Sequence, residues 1–200
     1  LLPKEIVKHV TYIKVKDVRE SLSLICNNFY DNPSKKLKLI GITGTNGKTT
    51  TANLMFQLFR MFNNKVGKTT TNKIKIGDKK IESNLTTPDP ITLNKVLKQM
   101  VESKIQFCFM EVSSHSIQQK RISGLDFILA AFTNLSQDHL DYHKSFKEYR
   151  DVKKEFFDSL NQSSFSLINM DDKNVSFMNQ NTKSKCFTYS LGSVSNLSVK

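Results

Sequence analysis

The sequence is poor in the features that mark membrane-inserted and secreted proteins. Its 200 residues contain no stretch approaching the ~20 consecutive apolar residues that a membrane helix needs. The first residues, LLPKEIVKHV, lack the extended apolar region and the small-residue cleavage site of a signal peptide. Cysteines are few and odd in number, and no two of Cys26, Cys108 and Cys186 have C-x-x-C spacing. These absences predict a globular cytoplasmic protein with reduced thiols.

Acidic residues are also scarce, because 18 Asp and Glu stand against 30 Lys and Arg and leave a formal net charge of +12. A basic balance of this size can indicate nucleic-acid binding. Here the charge is mainly lysine and is scattered along the chain, with its densest cluster in KIKIGDKK at 73–80. No aromatic residues are interleaved with that cluster as they are in RNA-binding motifs. We therefore expect a solvated lysine-rich surface and no nucleic-acid or membrane partner.

Patterns typical of helices and strands alternate along the chain. Helical spacing of apolar residues predicts helices over 17–30, 48–62, 90–103 and 145–160. Apolar runs predict strands over 37–43, 105–111, 126–133, 165–170 and 185–190. The alternation predicts an α/β domain with a largely parallel sheet flanked by helices. The polar segment DNPSKK, 31–36, is a candidate domain boundary.

Two of the predicted helices carry apolar stripes with different contents. In the helix over 17–30, Asp17 can act as the N-cap, and the apolar positions are Val18, Leu22, Ile25 and Phe29. In the helix over 145–160, Ser145 and Glu148 form a capping box, and the stripe contains Phe146, Tyr149, Phe156, Phe157 and Leu160. Lys153 lies inside this second stripe, whereas Lys154 is predicted to point away from it.

Polar clusters follow three of the predicted strands. They are TGTNGKTT after the first strand, EVSSH at 111–115 and TNLSQDHLDYH at 133–143. Ligands of open α/β sheets bind where the carboxyl ends of the strands meet the following loops. We therefore expect the three loops to converge on one crevice.

The first of these loops has the features of a phosphate-binding loop, although GITGTNGKTTTANL does not match the strict G-x-x-x-x-G-K-[ST] spacing. Gly44 and Gly47 allow backbone N–H groups to face an anion, and the following helix directs its positive end to the same place. Lys48 would reach the β- and γ-phosphates, and the Thr49 hydroxyl would hold Mg²⁺. The alternative is a glycine turn that caps an ordinary helix.

The unusual spacing of this loop, GTNGKTT, resembles that of the Mur ligases and their folylpolyglutamate synthetase relatives, which are ATP-dependent enzymes that join a carboxylate to an amino acid. TTP at 86–88, EVSSH, QQKR at 118–121 and TNLSQDHLDYH then follow in order. From about residue 15 to 180 the chain resembles the Mur ligases that add the third peptide residue of peptidoglycan to UDP-N-acetylmuramoyl-L-alanyl-D-glutamate. Some members have Asn before the two threonines, where this sequence has Leu85, so no role is carried over to that position.

The resemblance implies a division of the chain and a reaction. Residues 1–34 would be the tail of an N-terminal uridine-binding domain with its linker, and 35–200 an incomplete central ATP-binding domain with a P-loop-type sheet; the C-terminal domain would be absent. The enzyme would be a cytoplasmic, monomeric, ADP-forming ligase that activates the D-glutamyl carboxylate as an acyl phosphate. The amine of lysine or meso-diaminopimelate would then displace phosphate to form the amide.

The resemblance also implies a set of site residues for ATP, Mg²⁺ and the muramoyl peptide. Nucleotide binding falls to Gly44, Thr45, Asn46, Gly47, Lys48, Thr49, Thr50 and Asn134. Substrate binding falls to Thr86, Thr87, Ser113, Gln119 and Arg121, of which Arg121 suits a carboxylate because its planar fork binds one bidentately. Metal binding falls to Thr49, Glu111, His139 and a carbamylated Lys153, and catalysis to Lys48, Lys153 and His139.

Several of these residues allow a second interpretation on the sequence alone. Glu111 ends a buried strand, so its charge needs a partner, which could be Mg²⁺ or the start of a neighbouring helix. His139 and His143 have the i, i+4 spacing of zinc ligands, but no cysteine is nearby and the Glu of H-E-x-x-H is missing. Either His143 or His115 could be an ordinary hydrogen-bonded loop histidine. Lys153 could extend its ammonium to the edge of the core, or it could lose its charge there and react with CO₂.

Two other functions also remain open. The first is another Mur-type ligase, against which EVSSH and DHLDYH argue. The second is a nucleotide-binding switch or an ATPase that depends on nucleic acid. Stimulation of ATP hydrolysis by nucleic acid, rather than by a muramoyl peptide, would distinguish that class.

Overall fold

The computed structural model describes residues 7–71, 73–138 and 141–198. A single sheet organises the described residues, and its nine strands lie in the order β4-β3-β2-β5-β1-β6-β7-β8-β9. The strands are β1 Lys38–Thr43, β2 Val66–Thr70, β3 Lys73–Ile76, β4 Lys79–Glu82, β5 Phe107–Glu111, β6 Leu129–Phe132, β7 Phe165–Asn169, β8 Lys185–Ser190 and β9 Leu197–Ser198. The neighbouring strands in the part β2-β5-β1-β6-β7-β8-β9 of this order are all parallel. The predicted largely parallel α/β sheet is therefore confirmed.

The antiparallel edge of the sheet was not predicted. Strands β2, β3 and β4 form two successive antiparallel pairs, and Gly77 makes the turn between β3 and β4 with a positive φ of 59°. The lysine cluster KIKIGDKK thus forms most of a β-hairpin rather than an irregular charged surface. Its alternation of Lys and Ile is the period of a strand, which places Ile74 and Ile76 in the core.

Helices cover both faces of the sheet. They are α1 Val18–Phe29, α2 Lys48–Met61, α3 Pro90–Glu102, α4 Ser114–Gln118, α5 Phe146–Asp158 and α6 Val175–Asn179. Helix α2 packs with Ile40, Ile42 and Phe109 on one face, whereas α3 and α5 pack with the alternate residues of the same strands on the other face. The four predicted helices are confirmed, but α4 and α6 are too short to have been recognised by periodicity. Over the described ranges, no helix is long and apolar enough to cross a membrane.

Helix α5 has the buried stripe that its sequence predicts. Tyr149, Phe156 and Phe157 are buried, and Lys153 is buried between them. Lys154 is buried as well, but it shares none of the contacts of Lys153. Its ammonium donates to the Asp158 carboxylate and to the carbonyl oxygen of Gln180, so it has partners on another side of the helix.

Helix α1 departs from the prediction. Asp17 is the N-cap, accepting hydrogen bonds from the N–H groups of Arg19 and Glu20. The apolar positions of the helix, however, face outward, since Val18 is 73% and Phe29 79% exposed. The buried residues of α1 are Ser23, Cys26 and Asn27. The polar side of this helix therefore attaches it to the protein.

The predicted boundary at 31–36 forms a short 3₁₀ turn, Pro33–Lys36, that leads into β1. Pro33 and Ser34 are buried, and the Ser34 hydroxyl accepts a hydrogen bond of 3.0 Å from the N–H of Asp126. The segment is thus packed against the sheet domain. The division of the chain at residue 34 stays a prediction.

Candidate active site

The phosphate loop adopts a backbone conformation that only glycine accommodates easily at two positions. Gly44 and Gly47 have φ values of 149° and 84°, and Gly47 is the N-cap of α2. A Cβ atom on Gly44 would lie 1.9 Å from the Thr133 hydroxyl oxygen. Glycine at position 44 is therefore required by backbone conformation and by the close approach of the loop that follows β6.

The loop after β6 fixes the phosphate loop through side chains. The Asn134 side-chain oxygen accepts from the N–H of Asn46 at 2.9 Å, and its amide donates to the Asn46 carbonyl at 3.1 Å. The Thr133 hydroxyl donates to the same carbonyl at 2.7 Å. Two residues that are far from the phosphate loop in sequence thus set its shape.

Lys48 lies at the mouth of this loop. Its ammonium donates to the carbonyl oxygens of Gly44 and Thr45 at 2.9 and 2.7 Å. Burial lowers its pKa, although the carboxylates of Glu111 and Asp138 act in the opposite direction and favour the charged form. Thr49 and Lys48 both line a cleft at the ends of the strands, whereas Thr50 is exposed on the first turn of α2.

Glu111 is fully buried at the end of β5, and its partner is Thr71 rather than a helix start. The N–H of Thr71 donates to one carboxylate oxygen at 3.0 Å, and the Thr71 hydroxyl donates to the other at 3.3 Å. The same hydroxyl lies 3.1 Å from that of Thr86. Thr71 therefore joins the predicted metal ligand to the predicted substrate side.

The predicted substrate-binding hydroxyls differ in their access to ligand. Thr86 and Ser113 line the cleft. Thr87 is fully buried, and its hydroxyl donates to the Glu111 carbonyl at 2.8 Å and accepts from the N–H of Ser113 at 3.2 Å. Thr87 thus links the segment before α3 to the end of β5 and does not line the cleft.

Arg121 is held in place by neighbours from two segments. Its Nε and Nη2 groups donate to the Gln119 side-chain oxygen at 3.0 and 2.6 Å, and Nη1 donates to the Thr87 carbonyl at 2.7 Å. The Gln119 amide nitrogen in turn donates to the Tyr142 hydroxyl at 3.0 Å. Gln119 therefore orients Arg121, which is the residue that faces the cleft.

Lys153 reaches from α5 to the phosphate loop. Its amine lies 3.0 Å from the Gly44 carbonyl oxygen and 3.5 Å from the Thr43 hydroxyl oxygen. Burial and the nearby charge of Lys48 lower the pKa of Lys153 well below its ordinary value, and only Asp138 acts to raise it. The amine is therefore biased toward the neutral form that can react as a nucleophile.

The histidines of the third loop are only partly placed. His139 lies outside the described residues, so its predicted roles as metal ligand and catalytic residue stay predictions. His143 is buried, and its Nε2 lies 2.9 Å from the Ser114 hydroxyl. His115 lines the cleft and stacks on Tyr142, with a ring-centroid distance of 3.9 Å.

The cleft, of about 390 Å³ at the carboxyl ends of the parallel strands, brings most of these groups together. Among the predicted site residues, those that line it are Lys48, Thr49, Thr86, Glu111, Ser113, Arg121 and Lys153. A second cavity of about 470 Å³, between the segment 122–127 and the end of α5, contains none of the predicted site residues. The expected convergence is present for the first two loops, which both line the cleft. The described residues of the third loop contact the phosphate loop but do not line the cleft.

Sequence reasoning missed three residues that support this cleft. Thr71 follows the unpredicted strand β2, and Ser136 and Tyr149 both contact Thr45 of the phosphate loop. The alternation in KIKIGDKK could have revealed the hairpin that places Thr71. Tyr149 was predicted only as part of an apolar stripe, and nothing in its spacing indicates the use of its hydroxyl.

Comparison with known proteins identifies a family that the sequence matches. Residues 42–199 match the family described as Mur ligase middle domain. The UDP-N-acetylmuramoyl-L-alanyl-D-glutamate--2,6-diaminopimelate ligase of Bacteroides fragilis is 54% identical over 194 residues, which are 97% of this chain and 40% of that protein. The corresponding ligase 1 of Clostridium acetobutylicum is 49% identical over 172 residues, which are 86% of this chain and 35% of that protein. The chain therefore spans about 40% or less of the length of these curated relatives.

Solved structures give the same picture of the fold. A structure of a UDP-N-acetylmuramoyl-L-alanyl-D-glutamate--2,6-diaminopimelate ligase superimposes with a TM-score of 0.74 at 28% identity, covering 87% of this chain and 37% of that one. A Mycobacterium tuberculosis folylpolyglutamate synthase complexed with ADP and AMPPCP superimposes with a TM-score of 0.68 at 14% identity, covering 84% of this chain and 46% of that one. The second likeness concerns the fold alone.

Proposed function

We propose, because the chain belongs to the Mur ligase middle-domain family, that it is the ATP-binding part of an ADP-forming amide ligase of peptidoglycan precursor synthesis. The ligase adds an amino acid to the D-glutamyl carboxylate of UDP-N-acetylmuramoyl-L-alanyl-D-glutamate. One observation carries the proposal: a single cleft holds the phosphate-loop lysine Lys48, the carboxylate of Glu111, the guanidinium of Arg121 and the amine of Lys153. These groups suit the phosphates, the metal and the carboxylate of such a reaction.

The phosphate loop fits a nucleoside triphosphate. The first backbone N–H groups of α2 have no partner within the helix, so its start offers them to an anion. Glycine at position 44 lets the loop pack against Thr133, where a side chain has no room. Lys48 now donates to two loop carbonyls, and we expect it to transfer these hydrogen bonds to phosphate oxygens when ATP binds.

The residues present also fit Mg²⁺, which prefers oxygen ligands and often shares them with substrate phosphates. The Glu111 carboxylate and the Thr49 hydroxyl are oxygen donors in the same cleft. Among the described residues, no group of three or more His, Cys, Asp and Glu side chains is arranged to hold a metal. A shared site with phosphate oxygens therefore suits the cleft better than a site built from such side chains alone. When bound, Mg²⁺ would neutralise the charge that develops during phosphoryl transfer.

Lys153 fits a second role in the same cleft after carbamylation. A neutral lysine amine adds to CO₂ to give a carbamate anion and one proton. The buried amine of Lys153 has a strongly lowered pKa and lies against the phosphate loop. Its carbamate would supply the oxygen atoms that the amine lacks and would hold a second Mg²⁺.

The proposed reaction then depends mainly on positioning and electrostatics. Arg121 would bind the carboxylate of the substrate in the cleft. The hydroxyl groups of Thr86 and Ser113 line the same cleft. Lys48 stabilises the negative charge of the γ-phosphoryl group while a carboxylate oxygen of the D-glutamyl residue attacks it. The P–O bond to ADP breaks, and an acyl phosphate forms. The incoming amine then attacks the acyl carbon, and phosphate leaves with its electron pair.

We further propose that the incoming amino acid is 2,6-diaminopimelate rather than lysine. Similar relatives from Bacteroides fragilis and Clostridium acetobutylicum are both named as 2,6-diaminopimelate ligases. None of these cleft residues is assigned to the amino acid, so the proposal rests on the relatives. Parallel assays of the complete protein with the two amino acids test it directly. Faster amide formation with lysine would contradict it.

The phosphate-loop assignment is tested by Lys48→Ala in the complete protein. We expect this variant to fold but to lose ADP release and acyl-phosphate formation, which hydroxylamine trapping detects. Lys65→Ala is the control, because Lys65 is an exposed lysine beyond the end of α2. Near-normal turnover of Lys48→Ala would contradict the proposed role.

The rival function, an ATPase that depends on nucleic acid, is tested with the same protein. We expect ATP hydrolysis to depend on the muramoyl dipeptide and to be unaffected by DNA or RNA. Stimulation by nucleic acid without any response to the muramoyl dipeptide would overturn the proposed function.

A further inference from the structure

We propose that Tyr149 is a positioning residue of this site, whose hydroxyl fastens the phosphate loop to the helix that carries Lys153. The inference rests on the proposed function, because it concerns the same nucleotide site. Tyr149 is fully buried on α5, one helical turn before Lys153. In the sequence, Tyr149 is four residues before Lys153 and more than one hundred residues after Thr45, which it contacts. It therefore connects α5 with the phosphate loop.

The hydroxyl of Tyr149 contacts the side chain of Thr45. The oxygen atoms of the Tyr149 and Thr45 hydroxyls are 3.1 Å apart. Thr45 directs its own proton to the Ser136 carbonyl at 3.1 Å and accepts from the N–H of Ser136 at 3.0 Å. With the single Thr45 proton on the Ser136 carbonyl, the Tyr149 hydroxyl is the donor to Thr45. Burial raises the pKa of Tyr149 to about 12, which keeps the phenol protonated for this role.

The ring of Tyr149 makes a second, separate contact. The Lys153 amine lies 4.7 Å from the ring centroid, on the side of α5 that faces the phosphate loop. The hydroxyl of Tyr149 thus contacts Thr45 of the phosphate loop, and its ring contacts Lys153. A change that removes only the hydroxyl should loosen the phosphate loop and leave the surroundings of Lys153 intact.

The complete protein with Tyr149→Phe separates these contacts. We expect the dissociation constant of Mg-ADP, measured by calorimetry, to rise about tenfold, which is the loss that one hydrogen bond can cause. The KM for ATP should rise with it, while the KM for the muramoyl dipeptide stays within about twofold of wild type. The ¹³C signal of a carbamate at Lys153, seen after labelling with ¹³C-bicarbonate, should persist.

Tyr189→Phe is the matched control. The Tyr189 hydroxyl is also partly buried, and it donates to the Phe132 carbonyl at 3.2 Å. This contact involves neither the phosphate loop nor α5. Tyr189→Phe should therefore lose a comparable hydrogen bond with little change in nucleotide affinity. Equal weakening of Mg-ADP binding in both variants would overturn the proposal, because a general loss of stability would then explain it.

A double-mutant cycle with Thr45→Val gives a second test that does not depend on one variant. Thr45→Val removes the acceptor, so adding Tyr149→Phe to it should weaken Mg-ADP binding no further. Fully additive losses would overturn the proposal. If the wild-type protein itself does not bind Mg-ADP, the proposed function fails as well. If it does bind and Tyr149→Phe binds equally well, only the role of Tyr149 fails.

Discussion

Helices α1 and α5 have nearly the same length, 12 and 13 residues, and their sequences carry comparable apolar stripes. The stripe of α5 lies in the core, whereas that of α1 faces outward. Helix α1 is attached by polar contacts instead: the Ser23 hydroxyl donates to the Lys120 carbonyl at 2.5 Å, and the Asn27 amide donates to the Ser123 carbonyl at 3.0 Å. Apolar spacing therefore reveals a face of a helix, but the neighbours of the helix decide whether that face is covered.

The sheet shows why α5 can approach so closely. A Cβ atom on Gly41 of β1 would lie 2.4 Å from the Phe156 ring, so the absence of a side chain there admits the aromatic residue. Phe156 also packs edge-to-face on Phe127, with ring centroids 4.9 Å apart. The strand and the helix have complementary surfaces at this point. Helix α1 has no comparable fit on its apolar side among the described residues.

The largest expected difference between the two helices is in folding stability. Phe156→Ala should lower the free energy of unfolding by about 3–5 kcal/mol, because it empties a site in the packed core. Phe29→Ala should change it by no more than about 0.5 kcal/mol, because Phe29 is exposed. Urea denaturation of both variants measures the difference. Similar losses would mean that the apolar face of α1 is covered in solution.

The second difference is chemical and lies within α5. Lys153→Ala should lower kcat by at least about 10²-fold, the scale on which removal of a charge-stabilising group acts. Lys154→Ala should leave kcat within about twofold, because its contacts with Asp158 and Gln180 lie away from the phosphate loop.

Thermal unfolding and steady-state assays of the two variants separate stability from chemistry. Lys154→Ala should lower the melting temperature, since it removes the contacts of the buried Lys154 ammonium with Asp158 and Gln180. Equal losses of kcat in the two variants would contradict the assignment of Lys153. So would a Lys153 that remains uncarbamylated in the active enzyme.

A third, smaller effect concerns pH. In buffer free of CO₂, the folded protein holds Lys153 with a pKa well below 10.5, the ordinary value expected when the chain is unfolded. Between these two pKa values the unfolded chain binds the extra proton, so this group makes stability rise with pH, by at most about 1.4 kcal/mol per pH unit. At pH values below the folded pKa, the buried Lys153 destabilises the protein by its full amount. At pH values above 10.5 this destabilisation is absent.

Lys153→Met should remove this contribution. The variant should exceed the wild type in stability near neutral pH, and the gap should shrink as pH rises toward 10.5. Lys147→Met is the control on the same helix, because Lys147 is exposed and should show no such trend. Urea titrations at several pH values measure the gap. A gap that does not change with pH would mean that Lys153 keeps its proton when buried.

The smallest expected effect belongs to α1. Replacement of Leu22, Ile25 and Phe29 by glutamine, one at a time, should change the free energy of unfolding by no more than about 0.5 kcal/mol each. Ser23→Val should cost more than any of them, because it removes the hydrogen bond to the Lys120 carbonyl. The reverse order would show that the apolar side of the helix holds it in place.

Local sequence rules predicted the elements whose signals lie within a few residues. The glycines and lysine of the phosphate loop, the cap at Ser145 and the stripe that contains Lys153 are signals of this kind. Strand β2 gave no such signal, because VGKTT contains a glycine and a lysine and is buried along its whole length. It is stabilised by pairing with β5 and β3, which no local window contains.

The residues around the phosphate loop illustrate the same limit. Asn134 is expected to bind nucleotide, and its side chain engages the backbone of Asn46; its role toward nucleotide stays a prediction. Gln119 is expected to bind substrate, and its amide oxygen and nitrogen contact Arg121 and Tyr142; its role toward substrate stays a prediction. A motif indicates that a residue belongs to a site. Which atom it contacts depends on loops that meet only in the folded chain.

The restraint of Arg121 by its neighbours has a consequence for recognition. A guanidinium group has five N–H donors, and three contacts of Arg121 already go to Gln119 and Thr87. These contacts fix the guanidinium at the cleft before any substrate arrives. The side chain has therefore given up its conformational entropy during folding, and a carboxylate that docks there does not have to order it again. The rigid guanidinium should therefore select among acidic ligands by their shape. Arg121→Lys keeps the charge but loses this rigid group, so the variant should discriminate less well between acidic ligands.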